Sequence, residues 1–369
     1  MMVAIDADDA TGLHTAAPTP GHRDAPKRRW GLVVRIVGSI VLLALLVWRM
    51  PDFDPSELLP ERSPATFAWL AGSAGALLVA FMLQTLRWSF VLRALDHRLR
   101  FRRLFAQFLA GQFVSNVLPT AFAGDLVRIS RTGRDIDDRP HAFASIALER
   151  LTGWMVLPFI SLTTLALWPE GRSLGGPTLT ALLVDIGTLG ALVAILVVAA
   201  NRRWSTAART ATGWRRWIGA VHLGIDALRV RPHLAGATVA AGLAFQLTQC
   251  VSVWFAARAL EVHPATLVAV LAFFPPTAIG QNLPVGFGGL GVREGGFVLF
   301  FGALGASDER AIALGLATYL VTVITSSLGA PSFALGGGRR ALEEEAAEEE
   351  LPESEHSEPV DTASGSATP

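Results

Sequence analysis

The chain has 369 residues, 51% of them hydrophobic, with a mean hydropathy of +0.43 and no net formal charge. A single cysteine, Cys250, excludes an intrachain disulfide framework. Long apolar runs at 32–48, 67–86, 151–168, 179–200, 234–257 and 311–335 exclude an ordinary soluble domain. Each run has roughly the 17–25 residues that a helix needs to cross about 30 Å of hydrocarbon. One such run fits a buried soluble helix. Six specify an all-α polytopic membrane protein.

Residues 1–30 are polar and are expected to form a disordered N-terminal segment. Arg23, Lys27, Arg28 and Arg29 precede the first run, and basic residues in short flanks mark the cytoplasmic side. The N-terminus is therefore expected inside the cell. No small-residue cleavage site follows the first run, so it should stay as an anchor. The loop 49–65 carries Asp52, Asp54, Glu57 and Glu61 against Arg49 and Arg62, consistent with the outside. After the second run come Arg87, Arg93, Arg98, Arg100, Arg102 and Arg103, which read as a cytoplasmic flank. The next apolar stretch, 104–118, is followed by Arg128, Arg131, Arg134 and Arg139. Basic on both sides, it is expected to enter and leave from the cytoplasm as a re-entrant hairpin.

Spans near 142–168 and 178–200 then go out and back, with Glu149 and Arg150 at the entry to the first of them. Residues 201–233 are rich in Arg and Trp, including Trp204, Trp214 and Trp217. They suit an amphipathic helix on the inner membrane surface, or an ordinary basic loop. The span 234–257 exits, and 267–283 with 290–304 form a second hairpin, from outside. The last span, 311–335, returns to Arg339 and Arg340. The segment 337–369 ends the chain, and its residues 341–369 hold ten acids and no Lys or Arg, the composition of a disordered cytoplasmic tail. The membrane region thus runs over 31–336, with inverted repeats at about 66–168 and 234–335.

A repeated phrase ties the two hairpins together. Residues 118–128 read LPTAFAGDLVR and residues 283–293 read LPVGFGGLGVR, six positions matching at a constant offset of 165. Gly/Pro-interrupted segments at matching places in inverted halves point to a transporter's binding site. Broken helices free backbone N–H and C=O groups, and hydrocarbon tolerates these only against protein or a wet cavity. Pro119 and Pro284 are expected to stop a helix, and Gly124 and Gly289 to allow the turn. A half-helix starting near each glycine would offer free N–H groups to an anion.

The charges in and near these phrases are candidates for substrate binding. Asp125 and Arg128, at i and i+3, can pair on one helix face. Arg293 and Glu294 are adjacent, so each is expected to find its partner in the other hairpin, Glu294 reaching Arg128 and Asp125 reaching Arg293. Glu149 and Arg150 form another adjacent pair. Intramembrane ionisable residues default to functional readings; the alternative is that they staple the two hairpins together. Asn116 and Asn282 precede the two prolines, and Asn282 either supplies a polar contact in the second hairpin or caps a helix end. No Walker A phrase, G-x-S-x-G elbow or Cys/His cluster at metal-ligand spacing occurs. No catalytic residue, cofactor, metal or nucleic-acid partner is expected.

The phrases Asn116-Val-Leu-Pro119 through Gly124-Asp125 to Arg128, then Glu149-Arg150, then Gly288-Gly289-Leu290-Gly291-Val292-Arg293-Glu294, resemble motifs of one family. It is the membrane region of lysylphosphatidylglycerol synthase and its stand-alone, flippase-like integral membrane relatives, and the resemblance covers roughly 30–335. It implies the moving or building of lipids with modified headgroups, at the plasma membrane. It also implies an acid three residues after Arg150, where this chain has Gly153. The synthase's soluble aminoacyl-transferase domain is expected to be absent. Three functions follow as expectations: a lipid flippase taking an anionic or modified membrane lipid headgroup; an intramembrane lipid-modifying enzyme with Asp125 or Glu294 as general base; and an accessory subunit of a separate lipid synthase or glycosyltransferase.

Overall fold

The computed structural model describes residues 62–117, 123–200, 214–282 and 289–335, and every regular element among them is helical. In chain order the α-helices, apart from a one-turn helix at Pro169–Arg172, are α1 (Pro64–Ala94), α2 (Phe101–Val117), α3 (Ala123–Ile136), α4 (Arg139–Leu167), α5 (Gly176–Ala200), α6 (Trp214–Val230), α7 (Pro232–Ala259), α8 (Leu267–Gln281), α9 (Val292–Gly302), α10 (Asp308–Ser326) and α11 (Ala330–Leu335). Five stretches are long and apolar enough to cross a membrane: Pro64–Ala94, Arg139–Leu167, Gly176–Val198, Pro232–Ala259 and Asp308–Ala334. Phe67, Phe159, Leu167, Leu183, Val197, Leu320 and Ile324 point outward from them. Such an apolar exterior suits lipid and not water. The chain is a polytopic helical membrane protein. The run 32–48, the N-terminal segment 1–30 and the acidic tail lie outside the described residues.

Local chemistry sets the helix ends. Ser63 accepts a hydrogen bond from Thr66 N (3.1 Å) ahead of Pro64, and Asp138 accepts one from His141 N (2.9 Å) ahead of Pro140. Both are N-caps followed by a proline in the first turn, where its missing N–H costs nothing. The two helices that open the halves end alike. Asp96 (φ 68°) follows α1 and Glu261 (φ 56°) follows α7, and each starts a left-handed turn closed by His97 N→Leu92 O and Val262 N→Ala257 O, both 2.9 Å. These positions are 165 apart throughout.

Helices α1 and α7 pack antiparallel along most of their length. Ser73 and Ser252 each donate a hydroxyl to the other's carbonyl at 2.8 Å. Toward one end Gly72 lies against Phe255, and at the other Arg231 donates to the Ala94 carbonyl at 2.7 Å. The pairs α2/α3 and α8/α9 are helical hairpins. In the first, Gln107 reaches Asp135 (2.7 Å) and Thr132 (2.9 Å). In the second, Phe273 stacks on Phe300 (4.9 Å) and Phe274 approaches Phe297 (6.4 Å). Each hairpin begins where its preceding span ends. Because α1 and α7 are antiparallel, the two hairpin bases lie at opposite ends of the molecule.

Each hairpin's first arm packs on the closing span of the other half. Ser161 of α4 donates to the Ala272 carbonyl of α8 (2.6 Å), while Asn116 of α2 donates to Ser326 of α10 (2.9 Å) and Ser332 of α11 to the Ala106 carbonyl of α2 (2.9 Å). The last span, Asp308–Ala334, contains a 3-10 turn at Ser327–Gly329 between α10 and α11. One sequence expectation changes here. Arg87 is no cytoplasmic flank residue, because α1 continues to Ala94 and buries it. The described part of the Arg/Trp-rich segment is helical: α6 packs Leu223, Ala227 and Leu228 against Val91, Leu95, Ala144, Ala147 and Leu148.

Candidate functional site

The charges predicted from sequence converge, though not in the predicted pairs. Glu149, 1% exposed, lies ten residues inside α4 and not at its entry. At 1.5 Å per residue that is about 15 Å along the helix, half of a roughly 30 Å hydrocarbon core. Its carboxylate accepts from Arg128 of α3, from Gln84 of α1 and from Arg87 of α1 (3.3 Å). Arg128 also faces Asp125 one turn back (3.6 Å), as its i, i+3 spacing predicted, and Asp125 is paired with Arg150 of α4. The Arg128 guanidinium lies 4.2 Å from the Trp88 ring centre and 5.2 Å from that of Phe108, so aromatic faces hold its flat sides. The result is an alternating chain of charges: Arg150, Asp125, Arg128, Glu149, Arg87.

In the second half Arg293 stands where Arg128 does, 165 residues on. Contrary to the sequence expectation, it pairs with its neighbour: Glu294 Oε1 accepts from Arg293 Nη2 at 2.7 Å and Nε at 3.2 Å. The other Glu294 oxygen accepts from Gly291 N (2.6 Å), capping α9. Two adjacent residues meet because the glutamate folds back over the helix start and the long arginine curls round to it. The following span decides the difference between the halves. Glu149 and Arg150 correspond to Leu314 and Gly315, so α10 supplies no acid. Gly315 instead leaves room for Glu294; a Cβ there would lie 2.9 Å from its Cγ. The cross-hairpin pairs Glu294–Arg128 and Asp125–Arg293 are therefore not formed. Arg293 also faces the Tyr319 ring (5.1 Å) and lines a small cavity with Gln249, Ser252, Gln281, Thr318 and Thr322.

The remaining predicted residues have other places. Asn116 staples α2 to α10 through Ser326, away from the charge chain. Asn282 follows α8 as its C-cap and donates to the Ala278 carbonyl (2.6 Å), which is the capping alternative. Gly289 (φ +75°) and Gly291 (φ +85°) make the turn into α9. Gly124 makes no turn; it sits in the first turn of α3 against the backbone of Gly111, where a side chain has no room. Pro119, Pro284 and Gly288 lie outside the described residues.

Sequence reading missed Gln84, Arg87, Trp88 and Gln249, although a signal was present. Residues 84–95 read QTLRWSFVLRAL and 249–260 read QCVSVWFAARAL, matching in Gln, Phe, Arg, Ala and Leu at the same offset of 165. It also missed Asp185, fully buried within the apolar run of α5. Among the described residues neither Asp185 oxygen has a hydrogen-bond partner; Ser161 beside it donates to the Ala272 carbonyl instead.

Arg87 is the unfinished member of the charge chain. It is 2% exposed, and its Nε and Nη1 find no hydrogen-bond partner among the described residues. Gly153 faces Nη1, and a Cβ there would lie 2.8 Å away. This is the position at which the resemblance leads one to expect an acid. Its replacement by glycine leaves the guanidinium half-satisfied.

No curated protein matches the sequence significantly. The family model described as the lysylphosphatidylglycerol synthase TM region matches residues 35–329, the bulk of the sequence, and this chain belongs to that family.

Proposed function

We propose that this protein is a flippase for a lipid with an anionic or modified headgroup, the headgroup entering between the hairpins while the acyl chains stay in the bilayer. The observation that carries the reading is Arg87 with Arg128: two buried guanidinium groups share the carboxylate of Glu149, and Nε and Nη1 of Arg87 and Nε of Arg128 have no hydrogen-bond partner among the described residues. A buried cation without full compensation costs several kcal/mol, which a bound phosphate would relieve through charge-assisted, two-pronged hydrogen bonds. Arg293, beside a cavity lined by Gln249, Ser252 and Thr318, offers a second phosphate contact in the other half. The headgroup would pass from one arginine to the other.

The same geometry disfavours an intramembrane enzyme. Asp125 is engaged by Arg150 and faces Arg128, and both Glu294 oxygens are spent on Arg293 and Gly291 N. Both candidate bases thus lie against arginine, which favours their charge-balancing role over proton abstraction. A separately encoded lipid synthase or glycosyltransferase would supply or consume the lipid. In this reading the protein sits in the plasma membrane, and the positive-inside pattern supports an orientation with both termini and the base of the first hairpin facing the cytoplasm.

The test is lipid translocation by purified protein in liposomes. Fluorescent phosphatidylglycerol should cross faster than in protein-free vesicles, and Arg87→Gln and Arg128→Gln should each slow it at least tenfold. Translocation equal to that of empty vesicles, for anionic and aminoacylated lipids alike, would overturn the reading. Chemical turnover of the lipid would favour the enzyme.

A further inference from the structure

The geometry points to a divalent transition-metal site, of zinc type, formed by His97, Asp138 and His141 at the base of the first hairpin. These residues come from two separate turns. His97 follows the left-handed Asp96 in the α1–α2 turn, with its backbone fixed by His97 N→Leu92 O. Asp138 and His141 stand at the α3–α4 turn and the first turn of α4. The sequence hides the cluster, because His97 and His141 lie on either side of the whole hairpin.

Their donor atoms all lie within 4.8 Å of one another. Asp138 Oδ2 is 2.5 Å from His141 Nδ1 and 3.9 Å from His97 Nε2, and the two imidazole rings meet edge-on at 5.2 Å. Ligands of a tetrahedral ion with bonds of about 2.0–2.2 Å stand roughly 3.3 Å apart. Of the two separations to Asp138 one is short and the other long, and the third is at most 4.8 Å, so side-chain rotations of about 1–1.5 Å bring all three onto one ion. Asp138 divides its two oxygens between two tasks. Oδ1 caps α4 by accepting from His141 N (2.9 Å), which orients the carboxylate and leaves Oδ2 toward the histidines. This is the orienting contact that ligating carboxylates usually have.

Two imidazoles and one carboxylate select zinc or a similar ion over Mg²⁺ and Ca²⁺, which take all-oxygen shells. The three side chains are 23–32% exposed, so an ion can enter, and a fourth position stays open to water. The ion would act as a clasp. It joins the turn that opens the hairpin to the turn that closes it, and so fixes the base of the arm that carries Asp125 and Arg128. The site is independent of the lipid chemistry proposed above.

The experiment uses the untagged full-length protein in detergent, stripped with a chelator and titrated with ZnCl₂ by calorimetry and by thermal unfolding. One saturable equivalent and a rise in Tm are expected, with MgCl₂ giving neither. His97→Ala, His141→Ala and Asp138→Asn should each weaken zinc binding by more than the ~10–100-fold that losing an outer-shell partner costs. Asparagine keeps the N-cap, so Asp138→Asn separates metal binding from capping. His97→Ala leaves the α4 cap untouched, so it decides the matter if His141→Ala folds poorly. Absence of saturable zinc binding by the wild type overturns the proposal. So does a His97→Ala protein that binds as the wild type does, since the zinc would then sit on other histidines.

Discussion

At the scale of single residues, burial turns ordinary charges into strong constraints. Arg128 and Glu149 are 5% and 1% exposed and directly paired. Removing either partner strips the other of its nearest counter-charge, Arg87 or Asp125 compensating only in part, at a cost approaching that of a broken buried pair, about 3–5 kcal/mol. Arg128→Ala and Glu149→Ala should each lower thermal stability severely. The double variant should be less damaged than the two effects added, as contacting residues require. Strict additivity in a detergent unfolding assay would mean that the pair is not coupled. Gly153 allows a sharper separation of fold from function. Gly153→Asp places a carboxylate against the unpartnered Nη1 of Arg87, at the distal end of a side chain that can shift a few tenths of an ångström. The variant should fold at least as stably as the wild type, yet its translocation of anionic lipid should fall at least tenfold, because the acid occupies the place of the phosphate. Undiminished translocation would remove Arg87 from the headgroup path.

At the scale of elements, the first hairpin depends on close backbone approach, whereas the second is held by buried phenylalanines. Gly111 and Gly124 face each other across α2 and α3, and a Cβ at 124 would collide with the Gly111 carbonyl and the Ser115 hydroxyl. Backbone cannot rotate away as a side chain can. Gly124→Ala should therefore cost about 1–3 kcal/mol, the range for overpacking a tight site. Gly75, in α1, has nothing within 4 Å of the equivalent position. Gly75→Ala should be neutral or stabilise by up to ~1 kcal/mol through helix propensity. A comparison of the two melting temperatures checks the point, and equal effects would show that the hairpin does not need its glycine. Helices α1 and α7 show the complementary case. Their reciprocal Ser73–Ser252 hydrogen bonds and small residues give a close crossing where lipid offers no hydrophobic drive for association.

At the scale of the molecule, the antiparallel α1–α7 pair sets the two hairpin bases at opposite ends. On the proposed orientation, with the first base in the cytoplasm, the turn at Asp137 would face inward and the start of α10 at Asp308 outward. In a Cys250→Ala background, Asp308→Cys should react with an impermeant thiol reagent added outside intact cells, while Asp137→Cys should be protected. Equal labelling of both would overturn the inverted arrangement. Reversed labelling would keep the arrangement and invert the protein in the membrane.

The sequence by itself determined the class of this protein and one contact in its first hairpin, that of Asp125 with Arg128. Apolar length states whether a helix can span a bilayer, and an i, i+3 spacing states that Asp125 and Arg128 share a face; both are local properties. The repeat offset of 165 carried further than the doubled proline–glycine phrase, since it also relates Gln84 to Gln249 and the left-handed turns at Asp96 and Glu261. Partner choice was a different matter. Arg128 takes Glu149 because α4 packs on α3, and Arg293 takes its own neighbour because Gly315 of α10 leaves space for Glu294. Arg87 reads as a loop arginine until α1 is seen to continue seven residues beyond it. Which charge meets which depends on the packing of helices far apart in the chain, and on the volume of the residue opposite. Only the tertiary structure decides that, because a buried charge takes whichever partner the packing brings within reach.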